Sequence, residues 1–291
     1  MVEHVELIVD AQAELGEGPS WDAESKVLYW VDILGKQIHT YEPSSGSTGI
    51  IQLDEHIGAV VPRKNGGLVA VLQSGFYFMD LPSERLTFIE NPEEHLENNR
   101  FNDGKCDPNG RFWAGTMAYD GAEGQASLYC FEQGNHVKKV LDNVTISNGI
   151  AWSPDFKTMY YIDTPTRQVV SYDYDLKTGE ISNKRIAVVI PHEMGGPDGM
   201  TSDLEGNIWI AHWGGFQVTR WNPKTGELLV SIPIPAPQVT SCVFGGENLD
   251  ELYITTARTG LDQETLEKYP HAGGLFRVKT GIKGSDTFKF G

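Results

Sequence analysis

Four oxygen-bearing side chains each stand immediately before a glycine, at a regular spacing along the chain. They are Glu17, Asp103, Asn148 and Asp198. Carboxylate and amide oxygens are the ligands that hard divalent cations prefer, and no cysteine or histidine occupies the same position. If the fold brought these side chains together, they could hold Ca²⁺, Mg²⁺ or Mn²⁺ and leave coordination positions open for water and substrate.

Each of these residues also has a simpler interpretation. An acidic side chain beside a glycine often caps a turn by accepting a hydrogen bond from a nearby backbone N–H. Turn capping accounts for any one of the four, but it does not explain why four of them share one repeat position. Carboxylates buried together without a counter-charge cost several kcal/mol each, so a shared site requires a cation.

The repeat position is part of a longer repeat that extends through the whole chain. Two further copies contain Ile57-Gly58 and, in the place of the glycine, Ser241, and successive copies begin 40 to 50 residues apart. A second apolar run, with a Tyr or Trp in most copies, follows at residues 28–32, 112–116, 159–163, 208–212 and 252–256. Short runs bounded by Gly, Pro, Asn and Asp are typical of β-strands joined by tight turns.

Four short strands in a repeat of roughly 45 residues are typical of a propeller blade. We therefore predict an all-β protein, a six-bladed β-propeller with four-stranded blades that forms a single domain over residues 1–291. The sixth copy has little sequence after its third strand, so an N-terminal strand at residues 5–9 should close the ring. Because innermost strands line the channel of a propeller, the four oxygen-bearing side chains should meet at its axis.

An arginine and an amide precede the third copy of the repeat position. Arg100 and Asn102 could face the same mouth of the channel and bind a polyhydroxylated or anionic ligand. The alternative for Arg100 is a surface ion pair with one of the acidic residues Glu93, Glu94 and Glu97.

Composition excludes several other classes of protein. A net charge of −17 would repel a phosphate backbone, so nucleic acid is not an expected partner. Neither a secretory signal in the first ten residues nor an apolar run of about 18 residues is found, which predicts a cytoplasmic protein without a membrane partner. The three cysteines, Cys106, Cys130 and Cys242, form no C-x-x-C pair and are expected to be packing residues.

Several segments resemble one known family, that of regucalcin (senescence marker protein) and gluconolactonase, which includes firefly luciferin-regenerating enzyme. The segments are ELGEGP at 14–19, NRFNDGK at 99–105, GTMA at 115–118, ISNG at 146–149, YYID at 160–163, PDGM at 197–200 and SCVFGG at 241–246. They extend over nearly the whole chain, in the order found in the family.

This resemblance implies a single divalent ion bound by Glu17, Asn148 and Asp198, with Asp198 as the general base. It leaves Asp103 with a supporting or turn-forming role. It also implies substrate contacts at Arg100 and Asn102, and at an acidic residue after the GTM motif. That residue is Asp120, with Glu123 as the alternative, in a loop at 118–125 that is shorter and richer in glycine than in animal regucalcins and resembles a lid.

The expected function is a metal-dependent hydrolase that opens sugar lactones, of the gluconolactonase type, with water activated at the axial ion. Ca²⁺ is the expected bound ion, and Zn²⁺, Mn²⁺ or Mg²⁺ are alternatives in catalysis. The alternatives are a calcium-dependent aryl-ester or phosphotriester hydrolase and a non-catalytic metal-binding propeller. The expected partner is a small-molecule sugar lactone, and the chain is expected to be a monomer or a weak homodimer.

Overall fold

The computed structural model describes residues 4–134 and 136–291 and contains six four-stranded antiparallel sheets. These sheets are the blades of a β-propeller, so the fold predicted from the sequence repeat is confirmed. The predicted span of 1–291 includes residues 1–3 and 135, which lie outside the described residues.

The first five blades each use four consecutive strands, which run from the innermost to the outermost position. Blade 1 contains Gly16–Asp22, Val27–Asp32, Gln37–Glu42 and Ser47–Gln52, and blade 2 contains Ile57–Pro62, Leu68–Leu72, Gly75–Asp80 and Arg85–Glu90. Blade 3 contains Asn99–Cys106, Phe112–Ala118, Ala126–Glu132 and His136–Val144. Blade 4 contains Ser147–Trp152, Thr158–Asp163, Gln168–Tyr174 and Ile181–Val189, and blade 5 contains Gly196–Ser202, Ile208–Trp213, Gln217–Asn222 and Glu227–Pro233.

Blade 6 combines strands from the two ends of the chain. Its first three strands are Gln238–Gly245, Glu251–Ala257 and Leu275–Lys279, and its outermost strand is Glu6–Val9. The outermost strand pairs antiparallel with the third strand. The prediction that an N-terminal strand closes the ring is therefore confirmed.

Helical structure is sparse in the described residues. It consists of one α-helix, Gln263–Lys268, and two 3₁₀-helices, Thr164–Thr166 and His192–Met194. The α-helix was not predicted, because six residues are too few to show a helical period. In the part of the chain described, no helix is long and apolar enough to cross a membrane.

The hydrophobic core lies between neighbouring blades. The aromatic residues of the second strands fill these spaces, and Trp30, Trp113 and Trp209 are each at most 1% exposed. Trp209 packs edge-on against Phe244 of blade 6, with ring centroids 5.5 Å apart. The three cysteines are free and buried, as predicted for packing residues.

Glycines in the repeat position allow the innermost strands to approach one another. A Cβ atom added to Gly149 would lie 2.7 Å from the backbone carbonyl oxygen of Asp198, and one added to Gly58 would lie 2.7 Å from the backbone of Phe101. Such contacts are too short for any side chain. The glycines therefore permit the close packing that brings the preceding residues to the axis.

Two buried aspartates fix turns between first and second strands. Asp107 and Asp203 are fully buried, and each accepts a hydrogen bond at 2.9 Å from an indole Nε1–H, that of Trp113 and that of Trp209. Each also accepts backbone N–H groups of its own turn. These hydrogen bonds connect both turns to buried tryptophans of the core, at the end of the channel opposite the repeat position.

The C-terminal strap, residues 280–291, crosses that opposite end of the propeller. The Ser285 N–H donates to the Ser202 carbonyl of blade 5 at 3.0 Å, and the Phe290 N–H donates to the Pro62 carbonyl of blade 2 at 2.9 Å. The strap therefore links blades that are not neighbours in the ring.

Candidate metal site and active site

Four innermost strands bring the oxygen-bearing residues of the repeat to the axis. Glu17, Asp103, Asn148 and Asp198 belong to blades 1, 3, 4 and 5, and each is at most 5% exposed. Three of them, Glu17, Asn148 and Asp198, line one cavity, and Asp103 is outside its lining. The structure thus brings together the three residues that the family resemblance indicated as metal ligands.

The carboxylates at the axis are electrostatically unfavourable without a cation. Burial raises the pKa of Glu17 well above its usual range, and the charges of Asp198 and Asp103 raise it further. Burial, followed by the charge of Asp103, likewise raises the pKa of Asp198. A bound divalent cation would offset this repulsion and keep both carboxylates ionised.

Asn148 supplies the third oxygen. Its Nδ2 donates to Thr164 Oγ1 at 2.9 Å, whereas its Oδ1 is buried and has no hydrogen-bond partner. Among the described residues, no three His, Cys, Asp or Glu side chains are grouped so that they could hold a metal by themselves. A metal at the axis therefore requires the amide, and an unpartnered buried acceptor beside two carboxylates fits a hard divalent ion.

Glu17 and Asp103 also cap turns, as the simpler interpretation of these residues predicts. Glu17 Oε2 accepts a hydrogen bond from the Gly18 N–H at 2.6 Å, and Asp103 Oδ1 accepts one from the Gly104 N–H at 2.7 Å. These bonds fix the direction of each carboxylate. Each uses one of the two carboxylate oxygens, so capping and metal binding are compatible.

Arg100 and Asn102 line the same cavity. Arg100 Nη1 donates to Asn102 Oδ1 at 2.7 Å and to the Phe101 carbonyl at 2.9 Å, and Asn102 Nδ2 donates to the Ser147 carbonyl at 2.8 Å. Arg100 is 6% exposed, so it is not the surface ion-pair residue of the alternative interpretation. Burial lowers the pKa of Arg100 to about 10, and the side chain stays charged at neutral pH.

The cavity is small, and apolar atoms form most of its accessible wall although six of its ten lining residues are polar. Its volume is about 190 Å³, and it is lined by Leu15, Glu17, Arg100, Asn102, Met117, Ile146, Asn148, Thr164, Asp198 and Trp213. Drug-sized ligands occupy roughly 300–1,000 Å³, so this cavity suits a single small ring. A ligand here would place one polar face toward the carboxylates and an apolar edge against Trp213 and Met117.

Tyr119 lies over the guanidinium at the mouth. The Arg100 guanidinium carbon is 5.9 Å from the centre of the Tyr119 ring, and the Tyr119 hydroxyl is 2.5 Å from His56 Nδ1. His56 precedes the innermost strand of blade 2. Tyr119 therefore joins blades 2 and 3 across the edge of the site.

Asp120 does not line the cavity. Its side chain is exposed, and its Oδ1 accepts a hydrogen bond from the Ala122 N–H at 3.1 Å within its own turn. Glu123 lies outside the cavity lining as well. A substrate contact at either residue stays a prediction.

Sequence reasoning did not identify the other residues of the cavity wall. Met117, Thr164 and Trp213 all lie at or just beyond the ends of second strands. The sequence showed the second-strand pattern of the repeat, and residues at or just beyond the ends of these strands line the cavity. Their position at the ends of the second strands was the sequence signal that could have identified them.

The whole chain is similar to proteins of one family. A family profile described as SMP-30/Gluconolactonase/LRE-like region matches residues 15–258. YvrE of Bacillus subtilis strain 168, whose name makes it a candidate sugar lactone lactonase, is 41% identical over 284 residues, which cover 98% of this chain and 97% of that protein. Regucalcin of Oryctolagus cuniculus is 39% identical over 292 residues, with 98% of each chain covered.

The fold is shared with a solved structure whose description names regucalcin. A structure described as a calcium-binding protein, regucalcin, from Agrobacterium tumefaciens strain C58 superimposes with a TM-score of 0.94 at 29% identity. The match covers 98% of this chain and 96% of that chain.

Proposed function

This chain belongs to the SMP-30/gluconolactonase/LRE-like family, and from that premise we propose that it is a divalent-metal-dependent hydrolase that opens sugar lactones. The observation that carries the proposal is the unpartnered Oδ1 of Asn148, buried beside the carboxylates of Glu17 and Asp198. The name of the Bacillus relative supports the lactone as the substrate class.

Glu17, Asn148 and Asp198 would hold the ion. When bound, a divalent cation supplies Lewis-acid polarisation of the lactone carbonyl and stabilises the negative charge that develops on its oxygen. Ca²⁺ is the proposed ion, supported by the calcium-binding description of the Agrobacterium protein and by the all-oxygen donor set. Mg²⁺, Mn²⁺ and Zn²⁺ remain to be compared as catalytic ions.

Asp198 is the proposed general base. It would accept a proton from the water that attacks the lactone carbonyl and return it to the departing ring oxygen as the ring C–O bond breaks. The product is the open hydroxy acid. Asp198 can act as a base at neutral pH only while it is ionised, which burial and the charge of Asp103 oppose and a bound cation would favour.

Arg100 and Asn102 would position the substrate. Their hydrogen bonds to each other and to backbone carbonyls fix both side chains before a ligand arrives. The remaining guanidinium N–H groups can donate to the hydroxyls of a sugar lactone or to the developing negative charge. Trp213 and Met117 would contact the apolar edge of the ring.

The experiment is a lactonase screen with metal-stripped protein. Hydrolysis is followed with a pH indicator for a panel of five- and six-membered sugar lactones, with Ca²⁺, Mn²⁺, Mg²⁺ or Zn²⁺ added back. Phenyl acetate and paraoxon test the alternative ester and phosphotriester activities. Lactone turnover that requires a divalent ion supports the proposal, whereas turnover of the aryl ester or phosphotriester alone replaces it with the second hydrolase function.

A matched pair of variants links activity to the site. Asp198→Asn should abolish lactone turnover and weaken metal binding, because it removes both a ligand charge and the base. Asp142→Asn makes the same chemical change at an exposed position on the outermost strand of blade 3, outside the cavity, and should retain most of the activity. Full activity in the Asp198 variant would refute the mechanism, and metal binding without turnover of any substrate would indicate a non-catalytic metal-binding propeller.

A further inference from the structure

Lys105 links the innermost strands of two blades that are not neighbours in the ring. It belongs to the innermost strand of blade 3, and its Nζ donates at 2.6 Å to the backbone carbonyl of Met200, in the innermost strand of blade 5. Blade 4 lies between these two blades. The hydrogen bond therefore joins two innermost strands that are not neighbours in the ring, and it ends two residues beyond Asp198.

Lys105 shares its innermost strand with one carboxylate of the axis. Asp103 is two residues before Lys105 in the same innermost strand. Burial lowers the pKa of Lys105, and the charge of Asp103 is the largest of the effects that oppose this. On the other side of Lys105, a cavity of about 20 Å³ is closed by residues of the strap, which are Ser285, Asp286, Thr287 and Phe288.

The formal charges in the channel balance with one divalent ion. Glu17, Asp103 and Asp198 contribute three negative charges when ionised, and Lys105 contributes one positive charge. One divalent cation adds two positive charges, and three positive charges then face three negative ones. Arg100 lines the same cavity, but its Nη1 donates to Asn102 Oδ1 and the Phe101 carbonyl and not to a carboxylate, so we leave its charge to the substrate.

We propose that Lys105 is a positioning residue that supplies the fixed positive charge of the channel and thereby limits the axis to a single divalent ion. Its bond to the Met200 carbonyl holds the charge in place, and Asp103 is the carboxylate that it neutralises. Asp103 therefore stays out of the metal's coordination although it shares the repeat position. The inference rests on the metal site of the proposed function.

The test is a double-mutant cycle of Lys105 and Asp103, measured by calorimetric titration of Ca²⁺ into metal-stripped protein. Lys105→Gln removes the charge and keeps an N–H donor on a side chain that is one atom shorter. We expect it to bind Ca²⁺ about tenfold more tightly or to take up a second ion, because the carboxylates are then less neutralised. Asp103→Asn should weaken binding by about tenfold, and the double variant should return to within about threefold of the unsubstituted protein.

The control is Lys138→Gln, which removes the same charge from an exposed position on the outermost strand of blade 3. It should leave the affinity and the number of ions unchanged. If Lys105→Gln and Asp103→Asn both weaken Ca²⁺ binding and the double variant is weaker still, Lys105 has only a structural role and the proposal is wrong.

A second measurement does not depend on the metal. If the unsubstituted protein binds no divalent ion, the proposed function fails, but the Lys105–Asp103 coupling can still be measured by urea unfolding of the metal-free variants. Lys105→Gln should then destabilise the protein more when Asp103 is present than when residue 103 is Asn. Equal destabilisation in both backgrounds would overturn the inference about Lys105.

Discussion

The hydroxyl of Thr164 connects Asn148 to blade 5. Thr164 Oγ1 accepts the Nδ2–H of Asn148 at 2.9 Å and donates to the Pro197 carbonyl at 2.8 Å. With its amide N–H occupied in this way, Asn148 presents Oδ1 to the cavity beside Asp198. Thr164 does not occupy the repeat position, but it orients Asn148, which does.

Thr164→Val should weaken divalent-metal binding by about tenfold. The substitution preserves the shape of the side chain but removes the hydroxyl, so Asn148 is free to rotate its oxygen away. Removal of a group that orients a metal ligand typically costs 10- to 100-fold in affinity or activity. Calorimetric titration of Ca²⁺ measures the change, and Thr164→Ser, which keeps the hydroxyl, should remain within about threefold of the unsubstituted protein. Unchanged binding in Thr164→Val would show that Asn148 needs no such support.

The role of Thr164 marks the boundary of what the sequence could predict. A repeat predicts that equivalent residues meet, because equivalent strands occupy equivalent places around an axis. That logic places Glu17, Asn148 and Asp198 together with Asp103 at the axis, and the family resemblance separates the first three from the fourth. The direction of each side chain depends on neighbours from other parts of the repeat, such as Thr164, that the pattern does not specify.

Elements of the fold that repeat could be predicted, and elements that occur once could not. The six blades and the N-terminal closing strand followed from the count of strands in each copy. The short helix Gln263–Lys268 and the C-terminal strap occur once, so no repeat indicates them. Asp120 also lies in a segment that does not repeat. Its predicted contact with substrate therefore depended on the family resemblance alone.

Arg100→Ala should raise KM for a sugar lactone by about 10- to 100-fold and change kcat much less. Arg100 lines the cavity, where its guanidinium can hold the substrate, and hydrogen bonds to charged groups are worth roughly 1.5–3 kcal/mol. Steady-state kinetics separates the two constants. Arg185→Ala is the matched control, because Arg185 forms an exposed ion pair with Asp173 on the outer strands of blade 4. A fall in kcat alone would place Arg100 in the chemical step instead.

Phe290→Ala should destabilise the protein by about 3 kcal/mol or more, the usual cost of deleting a buried phenyl ring. Phe290 of the strap is buried and stacks on Phe131 of blade 3, with ring centroids 4.8 Å apart. Urea unfolding gives the free-energy change. Phe88→Ala is the control, since Phe88 is 57% exposed on the outermost strand of blade 2 and should cost much less. A change no larger than that of the control would mean that the strap is not part of the cooperative core.

His39 should make the stability of the protein depend on pH. Its ring is buried, stacks on Trp30 at 3.9 Å between centroids and lies 3.1 Å from Gln37 Oε1. Burial lowers the pKa of His39 from 6.5 to about 4, against a smaller opposing effect of the Asp32 charge. The unfolded chain therefore takes up a proton at a higher pH than the folded protein does.

The sign of the effect follows from that order of protonation. The stability due to neutral His39 is complete above about pH 6.5, is lost as the pH falls, and stops changing below about pH 4. His39→Phe cannot titrate, so the free energy of unfolding of the unsubstituted protein, relative to this variant, should fall by about 2–3 kcal/mol between pH 7 and pH 4. Urea unfolding at a series of pH values measures it. His39→Leu should show the same pH dependence as His39→Phe at a lower overall stability, because it also cannot titrate but lacks the ring that stacks on Trp30. If the unsubstituted protein and His39→Phe respond equally to pH, His39 is protonated in the folded state as readily as in the unfolded state.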